Sequence, residues 1–99
     1  MDFIIESSDY FIKQSKKLDK KSKKIIYDKK KLIKENPFRF PKLAGYKFIF
    51  KINITIDNNY SRLIYAVYYP DKKHITILGL FERKHDYKDF KKMYDLIFK

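Results

Sequence analysis

The sequence predicts an α+β fold: a short N-terminal strand, a helical hairpin, a three-strand antiparallel meander and a C-terminal helix. Three observations carry this expectation. Apolar residues recur at helical spacing before Pro37, alternate with polar ones after Gly45, and return to helical spacing from Asp86 onward. The length of 99 residues suits one core. With 44% hydrophobic and 18% aromatic residues, there is enough apolar side chain to order the chain despite 36% charged residues. A single domain over residues 1–99 is expected.

Phe3-Ile4-Ile5 is a short apolar run and reads as the first strand. Ser7 and Ser8 follow, hydroxyls that can accept from free helix N–H groups, and Asp9 suits the positive end of the helix dipole. Tyr10, Phe11 and Leu18, with Lys13, Lys16 and Lys17 between them, make an amphipathic first helix. Asp19 can cap a second helix running to Glu35, in which Ser22, Ile25, Ile26, Lys29, Leu32 and Ile33 share one face. Asn36-Pro37 ends it, because proline disfavours the helical conformation of the residue before it and has no N–H to donate. Residues 37–45 are expected to form a loop.

Period two then begins. Tyr46, Phe48, Phe50, Ile52 and Ile54 alternate with Lys47, Ile49, Lys51 and Asn53, the pattern of a strand with one apolar face. Asp57-Asn58-Asn59 is a turn of residues that tolerate positive φ. Arg62 to Tyr69 reads as a central strand, residues 70–73 as a turn, and His74 to Leu80 as the third strand. Phe90, Met93, Tyr94 and Ile97 mark an amphipathic C-terminal helix. The hairpin is expected to cover one face of the sheet and to leave the other free.

Charge narrows the function classes. The chain carries 24 Lys and Arg against 12 Asp and Glu, a net charge of +12, and the excess is spread through both halves. A small domain this basic suits polyanionic partners, nucleic acid or an acidic protein. The absence of cysteine excludes a disulfide framework, a thiolate metal site and a cysteine nucleophile. With two His and scattered carboxylates no metal-ligand constellation forms, and two glycines are too few for a phosphate-cradling loop. Acids stand near the N-terminus where a secretory signal needs positive charge, and no apolar run approaches the roughly 18 residues of a membrane span. A soluble, cytoplasmic protein without a cofactor or membrane contact is expected.

Several segments together resemble the RelE/ParE superfamily of small toxins from toxin–antitoxin modules. They are residues 11–19 of the first helix, Asn36-Pro37 closing the hairpin, residues 42–47 entering the meander, residues 60–65 in the central strand, and the pair Arg83 and Tyr87. The resemblance covers nearly the whole chain. It implies a RelE-like messenger endoribonuclease, metal-free and dependent on the ribosome, which makes the substrate 2′-hydroxyl attack its neighbouring phosphate. The same superfamily contains ParE-like gyrase inhibitors, and a member that only binds its antitoxin is the third alternative. Partners implied are a cognate antitoxin protein, the ribosome and messenger RNA.

That chemistry needs a base near the 2′-hydroxyl, cations where phosphate charge develops, and an acid for the leaving oxygen. The resemblance assigns the catalytic positions to Lys47 on the first meander strand, Arg62 opening the central strand, and Arg83 and Tyr87 after the last strand. Arg62 suits bidentate phosphate binding. Two positions depart from the pattern, because Ile49 and Phe81 stand where basic residues are found in ribosomal cutters. His85 can compensate, since its reference pKa near neutrality suits a general acid or base. Lys51 and the hairpin lysines Lys20, Lys21, Lys23, Lys24, Lys30 and Lys31 are candidate RNA- or ribosome-binding residues. His74 is given no role, and Tyr65, Tyr68 and Tyr69 are read as packing residues.

Overall fold

A computed structural model describes residues 3–56, 58–82 and 88–97. The elements follow the order β1 (Ile4–Ser7), α1 (Asp9–Ser15), α2 (Lys20–Glu35), β2 (Ile49–Ile56), β3 (Asn59–Val67), β4 (His74–Glu82) and α3 (Lys88–Ile97). The sheet order is β1-β4-β3-β2. β2, β3 and β4 form the antiparallel meander, and β1 pairs with β4 in parallel.

The caps are those the side chains dictate. Ser8 Oγ accepts from the Phe11 amide at 3.1 Å and donates to the Leu78 carbonyl at 2.8 Å, so one hydroxyl starts α1 and ties it to β4. Ser7 does not cap. Asp19 accepts from the Ser22 amide at 2.8 Å, a bond that holds its carboxyl below the ordinary carboxylate range and opens α2. From α2, Ile26 and Ile33 are buried against the sheet, each contributing about 1.5–3 kcal/mol relative to exposure.

Phe50, Ile52, Ile54 and Ile56 of β2, Leu63, Tyr65 and Val67 of β3, and Ile75 and Ile77 of β4 complete this core. Tyr65 is fully buried, stacks on Phe50 with centroids 5.5 Å apart, and donates to the Pro37 carbonyl at 2.6 Å, which fastens the loop after α2 to the central strand. Burial pushes its phenol pKa far up.

Four expectations are corrected here. The first meander strand begins at Ile49, not Tyr46, because the chain doubles back before it: Gly45 takes φ 87°, Phe48 takes φ 58°, and the Leu43 amide donates to the Ile49 carbonyl at 2.8 Å. The central strand ends at Val67, and the positive φ of Tyr68 turns that ring outward. The face opposite the hairpin is half covered rather than free. There Leu43, Ile49, Ile64, Ala66, Leu78, Phe81, Phe90 and Met93 form a second core, since the apolar stripe of α3 must also be buried. A bulge at the Ile64–Tyr65 step turns Leu78 and Phe81 to this side and keeps Ile77 and Leu80 on the hairpin side.

His74 is the fourth. Its Nδ1 lies 2.6 Å from Asp71 and its Nε2 lies 3.3 Å from Glu6 of β1, so the ring clips the first strand to the last. The bond to Asp71, with the charges of Asp71 and Glu6, raises the His74 pKa; the same bond lowers that of Asp71. Asp57, the predicted helix start at Asp86 and the side chain of Ile97 lie outside the described residues. No described helix is long and apolar enough to cross a membrane.

Candidate functional site

On β2 the alternation after Ile49 sends Lys51, Asn53 and Thr55 to the face that α3 shares, while the residues between them enter the hairpin core. The register sets Asn53 directly beside Arg62 of β3, and Phe81 of β4 on the other flank of Arg62. The second core ends at Phe81. Beyond it Lys51, Asn53, Thr55 and Arg62 form the polar remainder of the face. A cavity of about 280 Å³ opens there, lined by Asn53, Ile54, Thr55, Tyr60, Ser61 and Arg62.

Arg62 is the unusual member. Its side chain is half-buried, and Nε is sealed from solvent with no hydrogen-bond partner among the described residues. No described carboxylate pairs with it. Leaving a buried donor unmet costs roughly 1–3 kcal/mol, so this strand keeps a cation that its own packing does not reward. A guanidinium held in such a setting retains donors for an incoming oxyanion.

The other predicted site residues fare differently. Lys47 is exposed in the turn before β2, not on the strand, because the left-handed Phe48 breaks the alternation that would align Lys47 with Lys51. Lys51 is half-buried and on the same face as Arg62. Arg83, His85 and Tyr87 lie outside the described residues. Ile49 and Phe81 are both buried in the second core, so neither position supplies charge.

Among the hairpin lysines, Lys20, Lys21, Lys23, Lys24 and Lys31 are exposed. Lys24 pairs with Asp28 at 3.2 Å, and Lys31 sits 4.5 Å over the Tyr27 ring. Lys30 departs from the expected solvent side. Its Nζ donates to Ser7 at 3.3 Å and lies 5.5 Å over the Phe11 ring, and burial lowers its pKa. It ties α2 to β1.

Asn53 and Thr55 carry no motif of their own, and only their alternation with Ile52, Ile54 and Ile56 marks the polar face. Tyr65, Tyr68 and Tyr69 do not form one platform. Tyr65 is core, Tyr69 packs against the second core, and Tyr68 joins the exposed rings of Phe38 and Phe48. Among the described residues no group of three His, Asp or Glu could hold a metal ion.

The fold matches known structures. A double mutant of the E. coli toxin RelE in the free state superposes with a TM-score of 0.78 at 18% identity, over 98% of this chain and 99% of that one. The chain has the RelE fold. The intact E. coli RelBE toxin–antitoxin complex matches at TM-score 0.68 and 20% identity, over 81% of this chain and 95% of that one. The archaeal RelE–RelB complex from Pyrococcus horikoshii OT3 matches at 0.59 and 23%, over 84% and 97%. No protein-family model and no curated protein matches the sequence. Within the RelE fold, hairpin, meander and C-terminal helix are all present here, and the polar half-face around Arg62 is framed by the meander and α3.

Proposed function

We propose that this chain is the toxin of a toxin–antitoxin module and cuts messenger RNA on the ribosome, stopping translation. One observation carries the reading: Arg62, half-buried on the central strand, has a guanidinium that no described residue pairs with. Such a group is ready for a phosphate on which negative charge grows. In the proposed step the 2′-oxygen of one nucleotide attacks the adjacent phosphorus and the bond to the 5′-oxygen breaks, leaving a 2′,3′-cyclic phosphate. Arg62 stabilises the phosphoryl oxygens, Lys51 adds charge on the same face, and Asn53 offers an amide to the same group. His85 remains the candidate that takes the 2′-hydroxyl proton and returns one to the leaving 5′-oxygen, Arg83 adds charge for the phosphate, Tyr87 stacks on a base or orients the nucleophile, and no metal enters the reaction.

An antitoxin partner is part of the same proposal, supported by the likeness to two toxin–antitoxin complexes. The test is expression without a partner, with cleavage sites on messenger RNA mapped and DNA breaks counted. Arrest of translation with mapped cuts is expected, and Arg62→Ala should lower cleavage by about two to three orders of magnitude. Circular dichroism should report an intact fold. Growth arrest with messenger intact and DNA breaks accumulating would establish gyrase inhibition instead, and undiminished cleavage by the alanine variant would remove Arg62 from the site.

A further inference from the structure

One ring shares the face and the cavity of Arg62 and has no role in the reading above. Side chains two apart on a strand point to the same face and stand about 6.7 Å apart along it. Tyr60 precedes Arg62 by two residues on β3, so it lies on the α3 face with Arg62, nearer the end of the hairpin. Thr55 is its partner across the ladder, as Asn53 is that of Arg62, and all four line the cavity of about 280 Å³. On the other side of Arg62 the next row is Ile64 and Lys51. Along this face the guanidinium therefore has a cation on one side and a ring on the other.

Tyr60 differs from every other exposed aromatic residue described. Tyr10 stacks on Phe81, Tyr27 carries Lys24 and Lys31 over its ring, and Phe38, Phe48 and Tyr68 pack on one another. Tyr60 is 79% exposed, and no described ring, cation or hydrogen-bonding group engages it. Folding gains little from a side chain left in water to that extent. A nucleobase gains more, since stacking on an aromatic side chain strengthens binding by roughly 5- to 140-fold per base.

A phosphate and the base of its own nucleotide are separated by one sugar, which the spacing of Arg62 and Tyr60 along β3 can span. We propose that Tyr60 stacks on the base of the nucleotide whose phosphate sits at Arg62. A base inside a duplex has both faces covered by its neighbours, so this ring takes single-stranded RNA with the base turned out. The Thr55 hydroxyl beside it both donates and accepts, which suits any base edge, and the stack adds affinity without fixing sequence. The phosphate's place at Arg62 rests on the nuclease reading, but the ring is tested separately.

The probe is a fluorescent six-nucleotide 2′-O-methyl RNA, which lacks the attacking hydroxyl, titrated into the full chain at several salt concentrations. Tyr60→Ala and Tyr60→Leu should each weaken binding about tenfold with the log–log salt slope unchanged, because a ring releases no counterions, and Tyr60→Phe should bind like wild type. Arg62→Ala should reduce the slope by about 0.7, one single-strand phosphate contact. Removing one base from the RNA, position by position, should weaken wild type at one position and leave Tyr60→Ala indifferent there. Tyr27→Ala removes an exposed ring from α2 and should bind like wild type. If Tyr60→Ala or Tyr60→Leu binds like wild type while Arg62→Ala binds weakly, the stack is overturned and the nuclease reading stands. If both Tyr60 variants bind weakly and Arg62→Ala like wild type, the stack stands and the role of Arg62 falls. Equal losses from Tyr60→Ala and Tyr27→Ala, or no binding by wild type, overturn the stack, and cleavage mapping then decides the nuclease reading by itself.

Discussion

Gly79 is the position where one methyl group does the most damage. A Cβ built there would sit 2.9 Å from Tyr10 Cδ1, 3.0 Å from Gln14 Oε1 and 3.1 Å from Phe81 Cε2. Gln14 cannot move aside without giving up its bond to the Leu80 amide, and Tyr10 is held by its stack on Phe81. Gly79→Ala should therefore destabilise the protein by about 1–3 kcal/mol, the range of overpacking, read as a lower urea midpoint at unchanged slope. A midpoint equal to wild type would mean that α1 floats on β4. Arg62 was legible from sequence because a guanidinium inside an apolar run needs a reason. Gly79 was visible only as one of two glycines, and Gln14 had no signal, since its value lies in reaching a residue 66 positions away.

Among elements, β1 is the one whose attachment depends on pH. The His74 pKa is raised above its ordinary 6.5, so its contribution is complete below that value and is lost as pH rises through the raised one. The Asp71 pKa is lowered below 3.8, so its contribution is present above 3.8 and is lost as pH falls through the lowered one. The clip is strongest between the two ordinary values. The stability difference between wild type and His74→Gln should shrink as pH is taken from about 6 to about 9, followed by urea titration and by hydrogen exchange at Ile5 and Glu6. A difference that stays constant would make the ring a packing element only. Helix boundaries were readable because caps and proline act locally. The start of β2 was not, because the alternation of Tyr46, Phe48 and Phe50 runs on through a backbone that has already turned. Tyr46 uses its apolar ring on Phe90 and Tyr94 of α3 instead.

Across the whole molecule, the meander and both layers of helix followed from periodicity, whereas the covering of the second face did not, because a stripe on α3 does not reveal which surface it seeks. The +12 charge is a whole-molecule property. If the outer lysines of α2 dock ribosomal RNA, about four phosphate contacts give a log affinity against log salt slope near −3. Replacing Lys20, Lys21, Lys23 and Lys31 with Gln should flatten that slope and weaken ribosome association while leaving the melting temperature within a few degrees; unchanged association would make the charge merely solubilising. Lys30 is left out because it is committed to Ser7. The parallel pairing of β1 with β4 has one more consequence, which concerns time. Ser8 finds its carbonyl partner 70 residues downstream, so the first of these elements to be translated is among the last to be seated. At about 5–20 residues per second, several seconds separate the birth of β1 from the birth of its mate. Through that interval the growing chain has no finished sheet, and β4 is the last strand it waits for.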